Sequence, residues 1–584
     1  ARGYTFAANQ GLRKSTADYA ILLNSDTILT PGWLDRMIAC GESDSKIGMI
    51  GPLANTASWQ SVPELFDATG DWAENALPEG LTTSEMAAWV ANYSSRQYPR
   101  LPFLNGFCLA IKRTLITDIG IFDEEAFGEG YGEENDYCLR AVKAGWQLAV
   151  ADDTYIYHAQ SRSYSHERRK VLAERADKAL AAKHGQGAVS DGAYICRFDP
   201  VMVGNRARSQ VMALRQQTIE EGKKRWEGKR LLFILPISEP GGGGHVIIQE
   251  AEAMLKMGVD VRILNLKGHQ QFFESAYPDL KIPTLYVDGP RLAAGLLYNY
   301  DAVIGTVYHS LNWMDLPSSG GKIPVRGYYI QDFEPHFFSP GSPDYQAAWN
   351  SYTRFPDLVR ITKTEWNQNI IQEQIGVGCH VVGPSLDIEL FRPRRRNDPN
   401  WPDRPLRVTA MVRPSTPRRQ PGFTLQVLSK LIQRHGANIE AIIFGCQPDD
   451  PDFHKLIREH RELASVPWRH AGVLTRSQLA SLMNEVDIFA DFSSFQAMGL
   501  TAMETMACGA VALLPKEGGA SSFARHEENA FVADTNSLEA SVEALERLLK
   551  DDALRHKLQQ QAIFDMCQFY PEKAAYKTLE ALFS

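Results

Sequence analysis

The sequence predicts an α/β protein built from three or four packing units, on three observations. Its 584 residues exceed what one hydrophobic core organises. Apolar strand-like runs alternate with helical periodicity in three successive series, beginning at the amino terminus, at Lys229 and after Phe391. Two stretches interrupt that alternation, a polar loop with a charged helix over 188–228 and the Pro/Arg-rich RPRRRNDPNWPDRP. These breaks divide the chain into 1–187, a connector 188–228, 229–400 and 401–584, with the Pro/Arg-rich segment as a hinge between the last two.

In the first series the strand YAILLN follows a helical pattern (TFAANQGLRKS) that opens the chain, so further sequence upstream of Ala1 is expected. A helix over Pro31–Cys40, then IGMIGP, FCLAIK and QLAVADDTYIYH complete the series. Between Ala54 and Pro102 lies an insert bearing Trp and Pro, with a helix near Ser84–Asn92, of a length that usually carries binding. The second series opens with RLLFILPIS, a glycine loop, the helix HVIIQEAEAMLKMG and the strand DVRILNL, a β-α-β unit. The third runs LRVTAMV, a helix Gly422–His435, EAIIFG, a helix near Ser477–Asn484, VDIFADFS, a helix Leu500–Cys508 and VALLP. Two α/β halves joined by a hinge enclose a cleft.

A net charge of −9 argues against nucleic acid as a partner. The basic runs Arg394–Arg396, Arg168–Lys183 and Lys223–Arg230 read first as solvated faces and second as contacts to anionic lipid. No apolar run approaches the ~20 residues that span a bilayer. Eight cysteines without a C-x-x-C pair fit reduced thiols. A cytoplasmic protein is expected, peripheral at the inner face of the membrane where its acceptor requires it.

The loop Pro240–His245, between strand and helix, offers backbone N–H groups and a helix dipole to phosphate through Gly242, Gly243 and Gly244. It is not a dinucleotide fingerprint, because Val246 stands at the third glycine position and Asn265-Leu266-Lys267 lacks the ribose-binding acid. Arg413 follows LRVTAMV, and Arg418 and Arg419 come shortly after, at the sheet edge where open α/β folds bind ligands. The run FSSFQAMGLTAMETMACGAVALLPKEGG then resembles the retaining GT-B glycosyltransferases that include mannosyl- and rhamnosyltransferases of cell-surface polysaccharides. That family places one carboxylate, seven residues, then a second ahead of a small-residue helix. Glu504 fills the second place and Gln496 stands at the first. The resemblance implies that Glu504 binds the donor ribose, that Met498, Gly499, Leu500 and Thr501 present amides to the diphosphate and sugar, and that Arg413 and Arg419 neutralise the leaving group without metal. TVYHSLNW and YYIQDFEPHFF resemble the acceptor side of rhamnosyltransferase-like members. His309, Gln331 and Glu334 become acceptor candidates and Asp332 a catalytic candidate.

Nearer the amino terminus, Asn24-Ser25-Asp26 closes an apolar strand, and NSDTILTPGWLDRM, FLNGFCLAIKR, GYGEENDYCLRAVKAGW and YIYHAQSRSY follow in order. Together they resemble inverting GT-A transferases of the polysaccharide-building family, with the first part of that fold missing. The resemblance implies a Mn or Mg site at Asn24 and Asp26, with His158 as a further ligand, and a base at Glu133 or Glu134. Asp136 and Arg140, one helical turn apart, read as an ion pair.

The combined expectation is a partial GT-A domain followed by a GT-B pair of Rossmann-like domains. Such a chain would move a sugar, with dTDP-rhamnose as the donor by resemblance, to an oligosaccharide or lipid-linked glycan. A GT-B epimerase, a phosphorylase and a non-catalytic glycan-binding scaffold are the alternatives.

Overall fold

Strand and helix boundaries follow the periodicities closely, because alternating or continuous β-branched and apolar runs pair into sheets while the glycines between them end each element. The computed structural model describes residues 3–128, 130–159, 166–239, 241–316, 322–395 and 404–584, without the side chains of 166–170. Pro240, Arg396 and most of the expected hinge lie outside the described residues. The chain forms two units, Ala1–Ala213 with Pro393–Asn397, and Leu214–Arg392 with Asp398–Ser584. The division falls inside the helix Pro200–Trp226. The 188–228 stretch is almost wholly helical, so the charged helix expected there is found and the polar loop expected beside it is helix as well.

In unit 1 the described residues form a mixed sheet with spatial order Tyr19–Leu23, Cys108–Lys112, Ile47–Leu53 and Gln147–Tyr155. The first three strands pair antiparallel and the last parallel. Ile47–Leu53 is buried at every position, as a central strand covered on both faces must be. A separate two-residue ribbon pairs Thr27–Ile28 antiparallel with Tyr157–His158. Helix α1, Glu133–Lys143, starts at Gly132 with φ +87°, a left-handed cap open to glycine. Asp136 meets Arg140 at 2.9 Å, and also His184 and Lys183, each at 2.8 Å.

Unit 2 contains two parallel sheets. The first runs His380–Val381, Val359–Thr362, Val325–Ile330, Ala302–Gly305, Arg230–Ile234, Asp260–Leu266, Thr284–Val287. The second runs Arg469–His470, Ile439–Phe444, Leu406–Met411, Ile488–Ala490, Val511–Pro515, Phe531–Ala533. Each order steps outward from the first strand in both directions, so helices cover both faces and a crevice opens at the carboxyl ends. Helix α2, Gly242–Lys256, follows the first strand of the front half. Helix α3, Leu500–Ala507, precedes Val511–Pro515 in the rear half. The final helix α4, Pro571–Phe583, returns to the front half, where Ala575, Leu579 and Leu582 join the core of Phe233, Val246 and Ile263. Glu572 at its start is buried between Arg215 at 3.1 Å and Lys256 at 2.9 Å. Among the described residues no helix is long and apolar enough to cross a membrane, and the eight cysteines carry free thiols, all buried but the half-buried Cys379.

Candidate functional site

In unit 2 the arginines and the two helix amino ends lie together, and Glu504 is buried one turn into the second of those helices. Arg413 leaves the carboxyl end of Leu406–Met411 and is exposed; Arg418 and Arg419 sit on the 3-10 turn Pro417–Arg419 that follows. Arg418 lies 3.1 Å from Asp332 of the front half, and Arg419 3.7 Å from Asp491 of the rear half. Burial, then the like charges of Arg418 and Arg413, lower the Arg419 pKa, although Asp491 opposes this. Three guanidiniums facing two carboxylates leave a positive excess suited to a diphosphate.

Gly242, Gly243 and Gly244 form the first turn of α2 rather than a free loop, with Gly241 as cap. This places their amides at the positive end of the helix dipole. A methyl group on Gly242 would come 3.5 Å from Leu500, and one on Gly243 would strike Gln331, whose Nε2 donates to the Gly243 carbonyl at 3.1 Å. Gly499, φ +87°, caps α3, so Leu500 and Thr501 open a second amino end beside the first. Met498 packs at the edge of the front-half core.

Gln496 is buried, and its Nε2 donates to Asp491 Oδ2 at 3.0 Å and Ser493 Oγ at 2.8 Å. Gln496 is thereby tied to the carboxylate of Asp491, which also lies 3.7 Å from Arg419. Asp491 is a residue that sequence reasoning missed. Its signal was an aspartate at the carboxyl end of a parallel strand, in VDIFADFS.

Glu504 is buried within α3, and burial lifts its pKa to about 8, against the pull of Arg476. Arg476 is the second missed residue. It lies 3.5 Å from Asp387 and helps, after burial, to depress His245 to about 4. Raised from its ordinary 4.5, native Glu504 holds a proton that the unfolded chain has released. Stability conferred by that proton is complete below about pH 4.5 and is lost as pH rises through about 8. Glu504→Gln keeps the neutral hydrogen-bonding shape without the titration. The expected result is an unfolding free energy about 2–4 kcal/mol above the unsubstituted protein at alkaline pH and about equal near pH 4. Urea unfolding at both pH values measures it, and equal stability at alkaline pH would contradict the assignment.

On the acceptor side, Asp332 is buried, and burial raises its pKa against the opposing charge of Arg418. Glu334 is bound into the scaffold: it accepts from the Tyr308 amide at 2.8 Å and the Tyr328 hydroxyl at 3.1 Å, and burial raises it to about 7. His309 is exposed on the 3-10 stretch Tyr308–Met314, edge-on to Tyr308.

In unit 1, Asp26 Oδ1 and His158 Nε2 lie 3.4 Å apart. His158 Nδ1 meets the Thr56 carbonyl at 3.0 Å, which assigns the proton to Nδ1 in the neutral ring and turns the Nε2 lone pair toward Asp26. Asn24 is fixed through its backbone, donating to Phe107 O at 2.8 Å and accepting from Thr27 at 2.8 Å. Among the described residues no group of three His, Cys, Asp or Glu side chains gathers as a metal site. Glu133 and Glu134 occupy the first turn of α1. Burial, then Glu134, raises Glu133 to about 8, and its buried Oε2 has no hydrogen-bond partner among the described residues. Burial raises Glu134 as well, and its side chain lies against Gly106 of FLNGF.

Residues 2–175 match the model "Glycosyltransferase like family 2" and residues 395–563 the model "Glycosyl transferases group 1". The O-antigen biosynthesis protein RfbC of Myxococcus xanthus is 24% identical over 401 residues, covering 67% of this chain and 27% of that protein. D-inositol 3-phosphate glycosyltransferase of Corynebacterium glutamicum is 27% identical over 192 residues, covering 31% of this chain and 46% of that protein. The chain thus spans between about a quarter and a half of the length of these curated relatives. HepE of Anabaena, solved with UDP and glucose, aligns with a TM-score of 0.50 at 16% identity over 61% of this chain and 99% of HepE. TarM aligns with a TM-score of 0.51 at 9% identity, over 61% of this chain and 99% of its own. Both likenesses concern the fold. Two regions of the chain thus match glycosyltransferase families, a family 2-like module at residues 2–175 and a group 1 module at residues 395–563, and unit 2 has the GT-B fold.

Proposed function

We propose that unit 2 transfers a sugar from a nucleoside diphosphate donor to a hydroxyl of an oligosaccharide or lipid-linked glycan during assembly of a cell-surface polysaccharide, acting in the cytoplasm at the membrane's inner face. The observation that carries this reading is the convergence of Arg413, Arg418 and Arg419 with the amino ends of α2 and α3, the second of which carries the buried Glu504. Fixed positive charge aimed at a departing diphosphate stabilises the transition state without a metal. dTDP-rhamnose is the first donor to test, from the resemblance of the acceptor-side segments, and the UDP and glucose held by HepE put UDP-glucose beside it.

For unit 1 we propose a second, metal-dependent transfer. Asp26 and His158 are about as far apart as two adjacent ligands on one octahedral Mn or Mg, roughly 3 Å for bonds near 2.1 Å, against 3.4 Å here. Such an ion would hold a donor diphosphate. Glu133, raised by burial to about 8, or Glu134, raised as well, would take the acceptor proton in its ionised form.

The test is nucleoside diphosphate release from a panel of sugar nucleotides, with a glycan acceptor and with EDTA or Mn²⁺. Release by unit 2 is expected to survive EDTA, while Asp26→Ala removes only a Mn²⁺-dependent fraction. A single activity abolished by EDTA would overturn the assignment of the metal-free site. Donor interconversion without acceptor would identify an epimerase, and donor binding without turnover a scaffold.

A further inference from the structure

Beyond the Thr56 carbonyl that holds the His158 ring, the insert between Ala54 and Pro102 supplies nothing to the chemistry above, yet it is built with more order than a connector needs. Phe66 and Trp72 pair as an antiparallel bridge. The turn between them is organised by Asp67, whose carboxylate accepts from the Thr69 amide at 2.8 Å, the Thr69 hydroxyl at 2.7 Å and the Asp71 amide at 3.1 Å. Trp72 is 41% exposed. Its ring lies 5.0 Å from Phe66 at a 31° tilt and 4.7 Å from Trp59 edge-on, and the Arg197 guanidinium covers Phe66 at 5.3 Å. A large ring held at an exposed site gives contact area with little rotamer entropy left to lose on binding.

This aromatic face springs from the segment that grips both halves of the unit 1 site. Asn55 accepts from the His158 amide at 2.7 Å, and Thr56 fixes the His158 ring. Ser58, held at φ +48°, accepts from the Asn105 side chain at 2.9 Å, and Gln60 accepts from the Asn105 amide at 2.7 Å. The next residue, Gly106, abuts Glu134. Trp59 thus stands three residues from the backbone partner of His158, within about 11 Å of chain reach. Left-handed backbone at a non-glycine residue concentrates near functional sites.

We propose that Trp72, backed by Phe66 and Trp59, forms a saccharide-binding face on the module that carries Asp26, His158 and Glu134, and that a pyranose ring of the acceptor glycan stacks on it. The C–H groups on one face of a pyranose are polarised toward the negative face of an aromatic ring, and exposed Asp71, next to Trp72, offers oxygens to the sugar hydroxyls. Charge selects this occupant over a membrane. From 57 to 82 the chain carries five carboxylates, Glu64, Asp67, Asp71, Glu74 and Glu79, and neither Lys nor Arg, so that negative charge outweighs the Arg197 guanidinium that lies over Phe66. Such a surface is repelled by anionic lipid.

The face is tested with the full chain on a microarray of bacterial surface polysaccharides, and by cosedimentation with phosphatidylethanolamine–phosphatidylglycerol vesicles. Binding alone is measured, so the outcome is independent of donor turnover by either module. The unsubstituted protein should be retained by at least one polysaccharide. Trp72→Ala and Trp72→Leu should weaken that retention about tenfold, with Trp72→Phe retaining most of it. Should Trp72→Ala lower the unfolding temperature, Trp72→Phe against Trp72→Leu carries the comparison, since both fill the site and only one keeps a ring. Capture by no polysaccharide, retention indifferent to Trp72, or a Trp72-dependent association with vesicles would each overturn the proposal.

Discussion

Arg419→Ala is expected to lower kcat for sugar transfer by about 10²–10³-fold with a small change in unfolding temperature. Arg419 is the most enclosed of the three guanidiniums in the crevice, with 18% of its side chain exposed, and its nearest carboxylate, Asp491, stands off at 3.7 Å. The pair is too long for a charge-assisted hydrogen bond, so the guanidinium remains available to an incoming oxygen. Its charge matters most when the bond from sugar to diphosphate is broken and negative charge accumulates on the leaving group. The loss should therefore fall on kcat more than on KM. Removing Arg419 does not strand Asp491, which still accepts from the Gln496 amide and from the Ser493 backbone at 2.9 Å. Arg419→Lys, with the charge but not the planar fork, should lie between, about tenfold down. Steady-state release of nucleoside diphosphate at saturating donor reads the effect. A raised KM at unchanged kcat would make Arg419 a binding residue only, and no change in either would remove it from the site.

How far the sequence carries this picture depends on whether a feature is local. The helix expected at Gly422–His435 is found at Pro421–His435, and that near Ser84–Asn92 at Thr83–Tyr93, because apolar periodicity and capping residues lie within the element itself. Thr82 and Glu85 form a capping box that marks the second in the sequence alone. The crevice arginines were legible for the same reason, following one strand by a fixed spacing. What the sequence concealed is pairing over distance. Nothing near Arg418 announces that its partner is Asp332, and nothing near Gln496 announces that Asp491 holds its amide. Glu334 shows the converse. Its place beside Asp332 in QDFEPHFF draws it toward the acceptor site, whereas its oxygens are bound to Tyr308 and Tyr328, which hold the loop in shape. The connector read as partly loop is helical because its apolar positions, Val201, Met202, Val203, Ala207 and Val211, are buried by neighbours that composition cannot reveal.

Gly519→Ala is expected to destabilise unit 2 by about 3 kcal/mol and to lower transfer at least tenfold, because the donor loop is threaded through a space only a hydrogen can fill. A Cβ on Gly519 would stand 1.9 Å from the Ala497 carbonyl oxygen, and one on the preceding Gly518, itself at φ +124°, would lie 2.4 Å from the Gln496 carbonyl oxygen. Backbone lies on the far side in both cases, so no rotamer change relieves the overlap. Here the Gly519 amide donates to Gln496 O at 2.7 Å, and Thr364 of the front half donates to Ala497 O at 2.8 Å. One inserted methyl group must break the first bond and strain the second. It also displaces the segment running from Gln496 through Met498 to the cap of α3 at Gly499. The amides that α3 directs into the crevice would move with that segment, so donor affinity should fall together with stability. Gly295→Ala is the control: beyond its chain neighbours and its own helix backbone nothing lies within 4 Å of the added carbon, and the residue sits inside the helix Pro290–Leu297, where alanine is favoured. Thermal unfolding and donor titration of both variants decide the matter. A Gly519→Ala protein that unfolds and binds donor like the unsubstituted chain would show that the loop does not cross Gly519 at van der Waals contact, and the site built on Gln496, Met498 and α3 would have to be redrawn.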